Sequence, residues 1–300
     1  MSEFLSRVAS APISWGICEV PGWGARLPTE RVLAEMAALG MPATELGAPG
    51  FLPSDPDRLR EQLGKFGMSL IGGFTPLVMH ERSHRASVLE EARRVAERFE
   101  RAGATTFVSA VVMDADWSIP RALDNSEHRH VLTMLAEVDE ICGEFGLQQV
   151  LHPHVQTVIE TADDVNRIMD GCDVRWCLDT GHLAIGGKDP AEFAREAADR
   201  VGHVHLKDVD MDLAPALLRR ERSVMESVQA GLFTPLGRGH VPIAEVIEIL
   251  EASGYDGWYV VEQDTAIVGA IPDDGQGPVT SVSESLAYLR DVVAPRLPRR

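Results

Sequence analysis

A chain of 300 residues, 45% hydrophobic and 25% charged, is long enough to bury a large core in one barrel or two smaller domains. Its formal net charge of -18 and pI of about 4.9 argue against nucleic acid or an anionic membrane as partner, since both need basic patches. The four cysteines form no C-x-x-C pair, and no apolar run reaches the roughly 18 residues of a membrane span, so a cytoplasmic protein with free thiols is expected.

Strand and helix signals alternate along the chain. A strand is expected over Val8–Ser14, then a helix opened by Pro28 and closed by Gly40. Ala43–Leu46 is a short second strand carrying Glu45, followed by a helix between Pro56 and Gly67 and a third strand over Met68–Phe74. A helix over Arg85–Arg101 leads to strand four, Thr105–Val112, and a helix over Asn125–Phe145 to strand five, Leu147–Leu151. Thr161 and Asp164 have the spacing of a capping box for the next helix. Strand six is Val174–Leu178, strand seven Val201–Leu206 and strand eight Trp258–Glu262, with helices opening at Pro190, at Ala244 and at Ser281.

Eight such units with no linker predict a single-domain (β/α)8 TIM barrel over residues 1–300. An open doubly wound sheet is disfavoured because Ser14-Trp15-Gly16-Ile17-Cys18 is no phosphate-binding turn. One interval breaks the rhythm. Residues of about 207–241, after strand seven, far exceed the about two to six of an ordinary βα loop. An excursion from that end of a barrel strand is placed to act as a lid or site wall.

Barrel active sites lie where the strands end. Glu45, His152, Asp179, His205 and Glu262 all fall there. Side chains two apart share a strand face, so His203 goes with His205 and Lys207, and His152 with His154 if strand five continues that far. A strand-end aspartate such as Asp179 is often just a helix N-cap, and a strand histidine often just a satisfied core residue. Here several metal-ligand types meet at one mouth. Asp179, His205 and Glu262 form a credible set for a divalent cation, with His152 as the natural fourth and His154 or Gln149 as alternatives in that position.

These residues also carry a resemblance. Ser14-Trp15-Gly16 with Glu19, His152-Pro153-His154, Cys177-Leu178-Asp179-Thr180-Gly181-His182, His203-Val204-His205-Leu206-Lys207-Asp208-Val209, Pro235-Leu236-Gly237-Arg238-Gly239 and Val260-Val261-Glu262-Gln263-Asp264 resemble the inosose dehydratases. Those enzymes of inositol catabolism belong to the xylose-isomerase-like sugar isomerase/epimerase barrels. The resemblance runs from about Ala11 to Asp264. It implies one divalent metal, Mn²⁺ or Co²⁺ foremost with Mg²⁺ or Zn²⁺ as alternatives, on His152, Asp179, His205 and Glu262. Histidine at 152 departs from the glutamate usual in the wider superfamily.

The implied reaction removes water from a cyclic polyol ketone (scyllo-inosose, or 2-keto-myo-inositol) and leaves a trihydroxycyclohexane-dione, through a metal-stabilised enolate. A base must take the C–H proton and an acid must help the β-hydroxyl leave. His182, Lys207, Glu45 and His154 are the catalytic candidates; Trp15 and Phe74 could wall the ring. The expected partner is a small-molecule polyol ketone, with no nucleic acid and no membrane; a homo-oligomer is compatible with the sequence. The alternative is a sugar isomerase or epimerase working through an enediolate on the same metal site.

Overall fold

The computed structural model describes residues 3–18 and 20–298, so Glu19 lies outside the described residues. Nine parallel strand segments form one sheet. They are β1 (Val8–Ser10), β2 (Ala43–Thr44), β3 (Ser69–Leu70), β4 (Gly72–Leu77), β5 (Thr106–Val111), β6 (Gln148–Leu151), β7 (Trp176–Asp179), β8 (Val201–Leu206) and, after two strands outside the barrel, β11 (Tyr259–Val261). The order is β3-β2-β1-β11-β8-β7-β6-β5-β4.

The two ends of that order are neighbours in the chain, separated only by Ile71. The Ile71 amide donates to the Thr44 carbonyl on one side, and its own carbonyl accepts from Thr105 and Thr106 on the other. The expected third strand is therefore split in two, and its break closes the barrel. Gly72 permits this: a Cβ there would sit 2.1 Å from the Thr106 carbonyl oxygen.

Outside the sheet lie α1 (Thr29–Ala38), α2 (Pro56–Gly64), α3 (Arg85–Ala102), α4 (Asn125–Glu144), α5 (Ala162–Met169), α6 (Thr180–Ile185) and α7 (Pro190–Glu196), with α10 (Ile243–Ser253) and α11 (Pro278–Tyr288) later in the chain. Their apolar faces and the outward strand residues, such as Trp176, Leu178 and Leu206, form the main core. Inside the barrel two small clusters fill the lumen, Ala9, Ala11, Ala43, Ile71 and Val260 in one and Val108, Val150 and Cys177 in the other. These side chains leave the polar strand ends to make the layer above them.

Three departures from the sequence pattern have local causes. The first strand stops at Ser10 because Pro12 opens a 3-10 turn over Pro12–Trp15. That turn buries Trp15 completely, with its indole N–H donating to Glu35 at 2.8 Å, so it is core and not a ring wall. A short helix, α6, starts directly at Thr180 because Asp179 caps it. The capping box of Thr161 and Asp164 is present at the start of α5.

The excursion after β8 is stapled at its stem. β9 (Asp208–Val209) pairs antiparallel with β10 (Phe233–Thr234), and α8 (Ala214–Leu218) and α9 (Val224–Gln229) lie between them. Buried Asp208 accepts from the amides of Gly237 and Gly239 with one oxygen and from Val209 and Val241 with the other. A Cβ at Gly239 would lie 2.3 Å from the Asp208 carboxylate, which accounts for glycine in this Leu-Gly-Arg-Gly turn. Among the described residues, no helix is long and apolar enough to cross a membrane.

Candidate active site

Strand register brings the central residues together. Asp179 on β7 pairs directly with His205 on β8, and the Glu262 amide, just beyond β11, donates to the Leu206 carbonyl. His205 Nδ1 then lies 3.6 Å from Asp179 Oδ2 and 2.6 Å from Glu262 Oε2. Asp179 divides its work between its oxygens. Oδ1 accepts from the amides of Gly181 and His182, each at 2.8 Å, and so caps α6. Oδ2 turns the other way, toward His152 Nε2 at 3.4 Å and Lys207 Nζ at 3.5 Å.

β6 ends at Leu151, so strand alternation does not extend to His152 and His154, yet their ring centroids lie 5.4 Å apart. His152 is buried, with its ring centroid 4.9 Å from that of His205. The His154 ring lies 3.8 Å from His182, and its Nδ1 is 2.6 Å from the Val155 carbonyl. Gln149 has the opposite parity to His152 and donates from Nε2 to Ser109. It sits outside the cluster.

Glu45 stands behind His205. Its Oε1 accepts from His205 Nε2 at 2.9 Å and from His203 Nε2 at 2.8 Å, with all three side chains buried. Burial alone would raise the Glu45 pKa, yet the charge on His205 and the hydrogen bonds from both rings hold it far below the usual carboxylate range. Glu45 therefore fixes one nitrogen of His205 and turns the other, Nδ1, toward Asp179 and Glu262.

Lys207 is 1% exposed. Its ammonium meets Asp264 at 2.9 Å, Asp179 at 3.5 Å and Glu262 at 3.7 Å, and donates to His182 Nε2 at 3.0 Å. Burial opposes the charge, but the three carboxylates raise the Lys207 pKa well above that of a free lysine. Burial pushes Asp264 up to about 6 against the pull of Lys207. His182 is held well below the usual imidazole range, by burial first and then by His154 and Lys207. His154 is lowered to about 3 for the same first reason, with His152 and Lys207 adding to it. Both rings are neutral near pH 7.

These residues suit a divalent cation. His205 Nδ1 and Glu262 Oε2 face each other closely but are not aligned as donor and acceptor, and both are buried without a hydrogen-bond partner. His152 Nδ1 is likewise orphaned. Ligand atoms of Asp179, His205 and Glu262 all lie within 4.8 Å of one another, and so do those of His152, Asp179 and His182. Mixed imidazole and carboxylate donors fit Mn²⁺, Co²⁺ or Zn²⁺.

The sequence matches the model of the xylose isomerase-like TIM barrels over residues 33–292. The chain belongs to the xylose isomerase-like TIM-barrel family. Within it, the chain is 34% identical over 275 residues to an inosose dehydratase of Geobacillus kaustophilus (strain HTA426), covering 87% of this chain and 89% of that one. It is 32% identical to the rhizopine catabolism protein MocC of Rhizobium meliloti, covering 86% and 81%. The solved structure of the IOLI protein, which binds a zinc atom, superposes with a TM-score of 0.70 at 14% identity, over 96% of this chain and 98% of that one; at that identity the likeness shows the fold alone. The chain is thus an enzyme, related to the inosose dehydratases.

In this xylose isomerase-like barrel the mouth has a wall that sequence reasoning names only in part. Phe74 is there, stacked on Trp117 with ring centroids 5.9 Å apart, and Trp117 meets His154 edge-on, also at 5.9 Å. Phe233, from the stem of the excursion, lies 5.0 Å from Lys207 Nζ and 5.9 Å from the His182 ring. Trp117 sits in a loop, where no periodicity marks it. Asp264 was visible as part of Val-Glu-Gln-Asp, but only the fold brings it against Lys207.

Proposed function

We propose that this enzyme dehydrates a cyclic polyol ketone of the inosose kind to a trihydroxycyclohexane-dione, with Mn²⁺ or Co²⁺ held by His152, Asp179, His205 and Glu262. The observation that carries the reading is the pair of buried, unaligned atoms, His205 Nδ1 and Glu262 Oε2, beside a charged lysine. Relatives named inosose dehydratase, matched over most of their length, support the substrate class. When bound, a divalent ion supplies Lewis acidity at the ketone oxygen and makes the neighbouring C–H acidic.

The chain's own residues do the proton work. His154 directs Nδ1 to the Val155 carbonyl, so Nε2 carries the lone pair and accepts the C–H proton. The electron pair of that bond forms the new double bond, the β C–O bond breaks, and the resulting enol tautomerises to the dione. Lys207, protonated and stabilised by Asp264, gives the departing hydroxyl its proton, so that water leaves. His182 accepts the Lys207 hydrogen bond at Nε2 and holds the ammonium in line. Phe233 and the excursion cover this side and keep bulk water from the proton transfer.

The direct test mixes metal-stripped, folded protein with scyllo-inosose, adds Mn²⁺ or Co²⁺, and follows the dione by ultraviolet absorbance. Dione should appear only after metal is added. A folded protein that forms none with either ion sinks the reading, and an epimerised ketone without dione favours the isomerase alternative.

Glu45 has a separate expected effect. Glu45→Gln removes the charge that fixes His205, and metal affinity should fall by about 10- to 100-fold, as for other partners of ligating histidines. Calorimetric titration of stripped protein with Mn²⁺ measures this. Equal affinities would mean that Glu45 does not act through His205.

A further inference from the structure

Among the described residues, the non-glycine residues in the left-handed region are Trp117, Gln156 and Arg220, with φ of 57°, 63° and 59°. L-residues rarely adopt this conformation, and it persists where surroundings impose it. These residues lie in different parts of the chain: the loops after β5 and β6, and the excursion after β8. They nevertheless meet. Gln156 donates its side-chain amide to the Trp117 carbonyl at 2.6 Å and its backbone amide to Glu160 Oε1 at 2.8 Å. Arg220 grips both oxygens of Glu160, at 3.1 and 2.5 Å.

Glu160 is 7% exposed, and its carbonyl packs closely on Gly186, where a Cβ would lie 2.0 Å from the carbonyl oxygen. Arg220 comes from the excursion just after α8, at a position where glycine is usual. Keeping arginine there at a cost in backbone strain argues that its side chain is needed. Beyond Gln156, the clasp ends on the site itself: Trp117 packs on Phe74 and His154, and His154 shares the β6 loop with Gln156.

We infer that Arg220 is a positioning residue: through Glu160 and Gln156 it holds Trp117 and the His154 loop in place, and so ties the excursion to the wall of the mouth. A planar five-donor fork suits this task, because it fixes both the distance and the orientation of the carboxylate. The inference rests on the proposed polyol ketone only in its kinetic part.

Arg220→Gly provides the decisive variant. Glycine relieves the backbone strain, so a residue serving only as a helix end would be replaced with unchanged or higher Tm and no other effect. For a positioning residue, amide hydrogen exchange in 113–122 and 153–160 speeds up by about tenfold or more, the range expected when a charged hydrogen-bond pair is lost. Mn²⁺ affinity stays as in the parent, while KM for scyllo-inosose rises by roughly tenfold and kcat falls as well, because the loosened loop carries His154. Glu160→Gln should reproduce both effects, and the double variant should add little to either single one. Unchanged exchange in both loops overturns the inference, and so does faster exchange with an unaltered KM. If the parent does not turn over scyllo-inosose, the proposed substrate fails, while the exchange data still decide the clasp.

Discussion

Asp179→Asn is expected to leave a folded protein that retains almost no divalent metal after dialysis and turns over at least about a hundredfold more slowly. The reason is the division between its oxygens. Asparagine caps helices as well as aspartate does, so the amides of Gly181 and His182 keep an acceptor. The other atom loses its charge where His152, His205 and Lys207 converge within 3.6 Å. Asp179→Ala removes both functions, and Tm should drop further by the equivalent of about 1 kcal/mol for the lost cap. Elemental analysis, circular dichroism and the dione assay separate these effects. If Asp179→Asn holds metal at the parent's level, the carboxylate is a cap and nothing more.

This division between the two oxygens also shows what a sequence conceals. A strand-end aspartate before Thr-Gly-His fits a helix cap and a metal ligand equally well, and the fold has it in position for both. The order of strands and helices was legible because apolar runs alternate with capped helical stripes. The face shared by His203, His205 and Lys207 was legible because strand side chains alternate. What joins strands was not legible. Glu45 lies far from His205 in sequence, and only closure of the barrel sets it behind that ring. That closure passes through Ile71, whose peptide bonds to both neighbouring strands in a stretch that the pattern reads as one continuous strand.

The wall of the mouth was hidden for a different reason. Trp117, Gln156 and Arg220 sit in loops, where conformation follows from tertiary contacts rather than local propensity. A left-handed arginine has no signature in composition or period. Asp208 shows the intermediate case: Leu-Gly-Arg-Gly marks a turn, but the buried carboxylate that collects its amides appears only once β9 and β10 pair.

Lys207→Met should separate the lysine from the ligands more sharply than any other substitution. Methionine keeps much of the stem, which fills a tight channel: a Cβ on Gly181 would meet Lys207 Cγ at 2.7 Å. The same tightness leaves no room for arginine's fork, so Lys207→Arg should also fail. Removing the ammonium strands Asp179, Glu262 and Asp264, now without their shared cation. Metal-free Lys207→Met should therefore lose about 3–5 kcal/mol of stability, the scale of a broken buried pair. Added metal should recover more Tm than it adds to the parent, because it becomes the cation between two of those carboxylates. Turnover should stay about 10²- to 10⁴-fold down even with metal saturating, since the proton donor is gone. The pH dependence has a definite sign. Lys207 has a folded pKa above its unfolded value, so its stabilising contribution is complete below about pH 10.4 and is lost only as pH rises through the higher folded value. The parent should thus lose this contribution only in strong alkali, and Lys207→Met should lack that loss. Full activity in metal-loaded Lys207→Met would remove the lysine from proton transfer and leave it only the role of countercharge.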